Sequence, residues 1–129
     1  MAERGFTPIT VHTLFKDTEL SAGDASTSAA IDLRYTAQQG KFAINATVAL
    51  GTSGTAGTTI FTYLCAPSLA GTYVSPDTGS AIGTMGTALG GNVRSFTPVL
   101  TPFIKIVATQ DGAGSAGYAS KITANLFVQ

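Results

Sequence analysis

Lys41-Phe42-Ala43-Ile44-Asn45-Ala46-Thr47-Val48-Ala49-Leu50 is the stretch that decides the fold. Phe42, Ile44, Ala46, Val48 and Leu50 alternate with Lys41, Ala43, Asn45, Thr47 and Ala49. Successive side chains of a strand point to opposite faces, so this alternation sets the first group against a core and the second outward. The C-terminal residues repeat the pattern. Ile122, Ala124, Leu126 and Val128 take one face; Lys121, Thr123 and Asn125 take the other. Phe127 breaks the polar side, which marks it as cover for a neighbouring element.

Working outward, Phe103 to Thr109 is apolar on both faces except at Lys105, as expected of a central strand. Thr59 to Ala66 reads similarly, with Phe61, Tyr63 and Cys65 on one face and Ile60 and Leu64 on the other. Weaker strands are expected at Ala30 to Arg34, Thr72 to Ser75 and Val93 to Thr97. Turn residues separate them at Gln39-Gly40, Gly51 to Gly57, Ser75 to Gly79 and Asp111-Gly112. The Gly/Thr/Ala tract from Ala81 to Gly91 reads as a loop. Helical periodicity is nearly absent. Short strands separated by regular turns predict an all-β protein: an antiparallel β-sandwich or jelly roll of about eight strands, with an extended N-terminal segment.

Residues 1–27 differ from residues 28–129, which carry the β-sandwich domain. Phe6, Pro8, Ile9, Val11, Leu14 and Phe15 form an apolar, extended segment, and Pro8 confines it to an edge or to non-sheet backbone. Two readings stand side by side: a first strand with its loop, or an arm that docks on a neighbour. Under the second, Phe6, Ile9, Val11 and Leu14 are the interface residues.

Composition narrows the function. A chain of 129 residues is one domain and buries roughly two-thirds of its unfolded surface, so it needs no metal or disulfide to fold. Seven basic and seven acidic residues give zero net charge. A nucleic-acid binder is expected to carry a basic surplus, so no nucleic-acid partner is expected. Charged residues make up 11% of the chain, against about 25% in ordinary domains. Between Lys41 and Arg94 the one charged residue is Asp77. Such a surface can be covered by a neighbour without stripping water from charges. Cys65, alone in an apolar run, is expected as a buried thiol, with no disulfide and no cysteine-based metal site. No apolar stretch approaches the ~20 residues of a membrane-spanning helix, and the N-terminus lacks a signal-peptide core. Synthesis in a cytoplasm and no membrane partner are expected.

The motifs that carry chemistry elsewhere lack their essential parts here. Gly112-Ala113-Gly114-Ser115-Ala116-Gly117 matches a dinucleotide-binding pattern, but a strand reading follows where a helix must receive the pyrophosphate. It is expected as a hairpin loop. The glycines of Gly51 to Thr59 lack the lysine of a phosphate-binding loop. His12, the single histidine, pairs formally with Asp32 and a serine, yet nothing in the spacing positions them. Asp17, Glu19 and Asp24 lack the ordered spacing of a calcium loop. Asn45-Ala46-Thr47 is a glycosylation sequon placed mid-strand. Tyr35, Tyr63, Tyr73 and Tyr118 are the candidates for stacking on sugar rings, the basis of an alternative carbohydrate-binding role. No catalytic, cofactor-binding or metal-binding residue is assigned, and no enzymatic activity is expected.

The second half forms a connected series: Phe61-Thr62-Tyr63, Gly71-Thr72-Tyr73-Val74, Ser95-Phe96-Thr97-Pro98, Pro102 to Thr109, and Ile122 to Gln129. Over about residues 58 to 129 this resembles small structural proteins of tailed-bacteriophage and prophage virions, among them head-decoration and minor virion proteins with β-sandwich or jelly-roll domains. Its motifs are strand patterns and bring no catalytic residue. The resemblance implies a homo-oligomer in a virion, bound to other virion proteins such as the major capsid protein. Glycans are the partner of the alternative role.

Overall fold

A computed structural model describes residues 8–21, 23–36, 39–50, 58–77, 79–85, 90–111 and 119–129. These residues form nine strands: β1 (Thr10–Ser21), β2 (Ala25–Thr27), β3 (Ile31–Asp32), β4 (Phe42–Leu50), β5 (Thr58–Ala66), β6 (Ala81–Met85), β7 (Gly90–Phe96), β8 (Phe103–Asp111) and β9 (Ala119–Val128). One sheet, called A here, has the order β1-β9-β4-β7; the other, sheet B, has the order β2-β8-β5-β6, with β3 also on β8. All pairings are antiparallel.

β2 and β3 follow one another along β8 and act as one broken strand. Ser28 makes the break possible. Its N–H donates to Ile106 O (2.8 Å), and its Oγ accepts from Ile106 N–H (2.9 Å). A hydroxyl thus satisfies a buried backbone donor that a continuous strand would have satisfied with a carbonyl. Counting β2 and β3 together gives eight strands. The first then pairs with the last, the second with the seventh, the third with the sixth and the fourth with the fifth. A long antiparallel hairpin wound over itself produces this order, which is the jelly roll.

The core lies between the sheets and follows the alternation read in the sequence. Phe42, Ile44, Ala46 and Val48 of β4 face Ile122, Ala124, Leu126 and Val128 of β9 within sheet A, all buried. Sheet B contributes Phe61 and Tyr63 from β5 and Ile104, Ile106 and Ala108 from β8. Burying each large aliphatic or aromatic side chain is worth about 1.5–3 kcal/mol, so the alternation itself fixes the strand register. β8 lies inside sheet B, as its two-sided apolar sequence predicted.

Several expectations are corrected. Ala81 to Met85 is strand β6 and Gly90-Gly91 opens β7, so the tract read as one loop contributes to both sheets. Thr72 to Ser75 is reduced to a single bridge, Val74 with Cys65. Cys65 is half-buried rather than buried, and its thiol lies 3.5 Å from Val74 O. β8 and β9 belong to different sheets, so the glycine-rich segment between them links the sheets and closes no hairpin. Residues 112–118 themselves, like 51–57, lie outside the described residues.

Candidate functional site: two uncharged rows on the outer face of sheet A

Residues 10–21 are the first strand of sheet A, which is the first of the two readings for the N-terminal segment. Its alternation is interrupted twice. The pairing with β9 shifts between Thr13 and Phe15 and again between Phe15 and Thr18. An extra residue in one strand re-aims the side chains around it, so Leu14 and Phe15, neighbours in sequence, are both buried. Asp17 sits in the second irregularity at φ 48°, in the left-handed region. Its N–H donates to Thr123 Oγ1 (3.1 Å), and the Thr123 hydroxyl lies 3.4 Å from Asp17 Oδ1.

The four interface candidates therefore separate. Ile9 and Val11 are 60% and 57% exposed. Leu14 falls on the same inward side as Thr10 and His12 and is buried in the core, so it is withdrawn from the interface set; the first shift is what turns Phe15 inward beside it. Phe6 lies outside the described residues.

Val11 belongs to a larger surface that the cross-strand register assembles. Directly opposed residues share a face of a sheet. One row of the outer face of sheet A reads Val11, Phe127, Ala43 and Ser95 across β1, β9, β4 and β7. The next reads Thr13, Asn125, Asn45 and Val93, with Val93 70% exposed. Neither row holds a charge. The third begins with Asp17 beside Thr123, continuing to Thr47 and Gly91. The fourth sets Glu19, Lys121 and Ala49 side by side, so the charge-free part of the face is two rows wide. The outward-facing sets of β4 and β9 were legible in the sequence. The rows they form with β1 and β7 were not, because register is a property of pairs of strands.

Two clefts of about 530 and 560 Å³ open at the end of the sandwich where the first row lies. The first runs between Ile9 and Phe96 past Phe127; the second lies between Leu33-Arg34 and the segment Thr97 to Pro102. Tyr63 holds that segment: its buried hydroxyl oxygen accepts from Val99 N–H (3.0 Å). The Tyr63 ring packs on Phe96, which packs on Phe42. Leu100, at the crest of the same segment, is fully exposed. The sequence reading gave Leu100 no role, because it falls between the strands expected at Val93 to Thr97 and at Phe103 to Thr109.

The other candidates come apart. His12 is partly buried on β1, its Nε2 has no hydrogen-bond partner, and burial lowers its pKa below the ordinary value. Among the described residues no nucleophile or carboxylate is joined to that nitrogen. Asp32 is instead held by Arg34 through a two-pronged pair (3.0 and 2.8 Å) and through the Arg34 backbone N–H (2.9 Å). These bonds pull the Asp32 carboxyl down to about 2. Arg34 also lies over the rings of Phe103 and Tyr35. Among the described residues no group of three or more His, Cys, Asp or Glu gathers to hold a metal. Of the tyrosines, Tyr63 is buried. Tyr73 covers Lys105 (4.3 Å) and donates its hydroxyl to Leu69 O (2.9 Å). Tyr35 is 74% exposed, and Tyr118 lies outside the described residues.

No protein-family model matches the chain, and no curated protein is similar to it in sequence.

Proposed function

We propose that this chain is a non-enzymatic structural component of a bacteriophage virion, a capsid decoration or accessory protein that works by oligomeric assembly. The observation that carries the reading is the outer face of sheet A, with two full rows across four strands that hold apolar, Thr, Ser and Asn side chains and no charge. Covering such a face costs little desolvation, and exposed Ile9, Val11 and Val93 add apolar area to it. The jelly roll supports the reading by analogy, since it is a recurrent architecture of capsid proteins, although it also carries lectins. Partners on this reading are copies of the chain and other virion proteins such as the major capsid protein.

The test is co-sedimentation of the purified chain with particles of the phage that encodes it, grown without the gene. Saturable binding in many copies per particle is expected. Chain left in the supernatant at all concentrations contradicts the proposal. Removal of residues 1–8 probes the N-terminal contribution without touching β1; a deletion reaching residue 15 would remove Leu14 and Phe15 from the core. Glycan binding, the alternative, rests on Tyr35 as the one exposed ring among the described tyrosines, and a glycan array without hits removes it.

A further inference from the structure

A jelly roll leaves four sheet edges, and here three of them are blunted. β1 carries two register shifts and a residue at positive φ. β2 and β3 are broken at Ser28. β6 shifts register between Phe61 and Thr62, with Gly83 at φ 153°. β7 is different. Among the described residues it pairs with β4 alone, over seven consecutive positions, Phe42 with Phe96 through Val48 with Gly90, without a shift. It contains no proline and no lysine, and Val93 at its centre is 70% exposed. An unpaired, regular strand edge is a template for another strand, and proteins that need to stay apart usually disrupt it.

We propose that β7 pairs with β7 of a second copy, antiparallel about a two-fold axis through Val93, joining two sheets A into one eight-stranded sheet. The proposal rests on the assembly reading above and names its contact between copies. The register follows from charge. β7 holds one charged residue, Arg94. Centring the pair on Val93 sets Arg94 opposite Asn92, whereas centring it on Arg94 sets two guanidinium groups face to face, and directly opposed like charges destabilise a strand pair. Arg94 shares a face with core residue Ile44 and crosses to sheet B, where a Cβ on Gly83 would collide with its side chain. The guanidinium thus lies on the inner side, away from the outer rows. A second copy, rather than another partner, fits because a two-fold makes the strand its own complement. The chain's zero net charge raises no barrier between copies, and the uncharged row ending at Val93 continues into the mate's.

The experiment uses the full chain with Cys65→Ser to remove the native thiol. Val93→Cys is expected to form a covalent dimer under mild oxidation, while Thr13→Cys, in the same row at the opposite edge, stays monomeric. Val93→Lys and Val93→Glu, each at a site already exposed in the single chain, are each expected to weaken dimers by roughly tenfold, and an equimolar mixture is expected to restore them. Light scattering reads the mass; circular dichroism confirms the fold. Val93→Cys cross-linking no better than Thr13→Cys, or dimers unaffected by Val93→Lys, overturns the proposal. A wild-type chain that binds particles but never self-associates overturns the edge pairing and leaves the virion reading standing. A chain that dimerises through Val93 but ignores particles does the reverse.

Discussion

The two edges of sheet A are built on opposite plans. β1 is long, twice shifted in register, and carries Lys16, Asp17 and Glu19. β7 is shorter, unshifted against β4, and exposes Val93 at its middle. Both edges flank the same uncharged rows. The irregularities of β1 do two jobs at once: they turn Phe15 into the core beside Leu14, and they spoil the strand as a template for pairing. β7 does neither. One edge is therefore committed to the stability of the chain, and the other is left available for contact.

The largest expected effect breaks the first half of that contrast. Phe15→Ala empties a buried ring site on β1 and is expected to cost about 3–5 kcal/mol in denaturant unfolding. Val93→Ala on β7 is expected to stay within about 0.5 kcal/mol when measured on the monomer. Equal losses at the two sites would erase the distinction between the edges. Ser28→Ala is next. It leaves the buried Ile106 N–H without its acceptor at the break between β2 and β3, and a loss of about 1–3 kcal/mol is expected.

Asp17 sharpens the picture of β1. A β-branched residue at its positive φ is strained, so Asp17→Val is expected to cost about 1–2 kcal/mol, while Asp17→Gly removes the strain and loses only the contact with Thr123. The smallest effect is a pH dependence that belongs to β1 alone. Burial holds His12 below its ordinary value of 6.5, so the unfolded chain binds a proton more readily than the folded one. Stability contributed by the neutral His12 is intact above 6.5 and falls as the pH drops from there toward the folded-state value. His12→Gln is expected to flatten that slope in unfolding curves measured at several pH values. β7 has no group that titrates in this range.

The same contrast explains what the sequence could and could not reveal. β4, β8 and β9 were legible because their alternation or continuous apolar character survives in the structure without interruption. Leu14 was grouped with Val11 because the segment was read as an apolar arm and not strand by strand; with Val11 outward, alternation alone places Leu14 inward. The bulge is invisible to a period-two reading, and its effect falls on Phe15, which would otherwise face outward. β6 was missed for a related reason. Among its described side chains Ile82 is the one large buried one, and the shift at Phe61 breaks the spacing around it. β2, made of Ala25, Ser26 and Thr27, has no apolar pattern at all and exists because β8 offers it partners. The expected β8–β9 hairpin failed because adjacency in sequence does not say which sheet each strand joins. Of the candidate surface, Val11, Asn45, Thr123 and Asn125 were readable as outward-facing or apolar singly. Their alignment into uncharged rows, and the place of Val93 at the end of one, required the register.

The most direct test of assembly through β7 is amide hydrogen exchange of the wild-type chain at low and high concentration, read by NMR or fragment mass spectrometry. Among the backbone amides of Val93 to Ser95, those pointing away from β4 are expected to slow as concentration rises, while the amides of Val11 to Thr13 on β1 keep their rate. Protection that grows on β1 with β7 unchanged, or a profile indifferent to concentration in a chain that light scattering shows to be oligomeric, would contradict it.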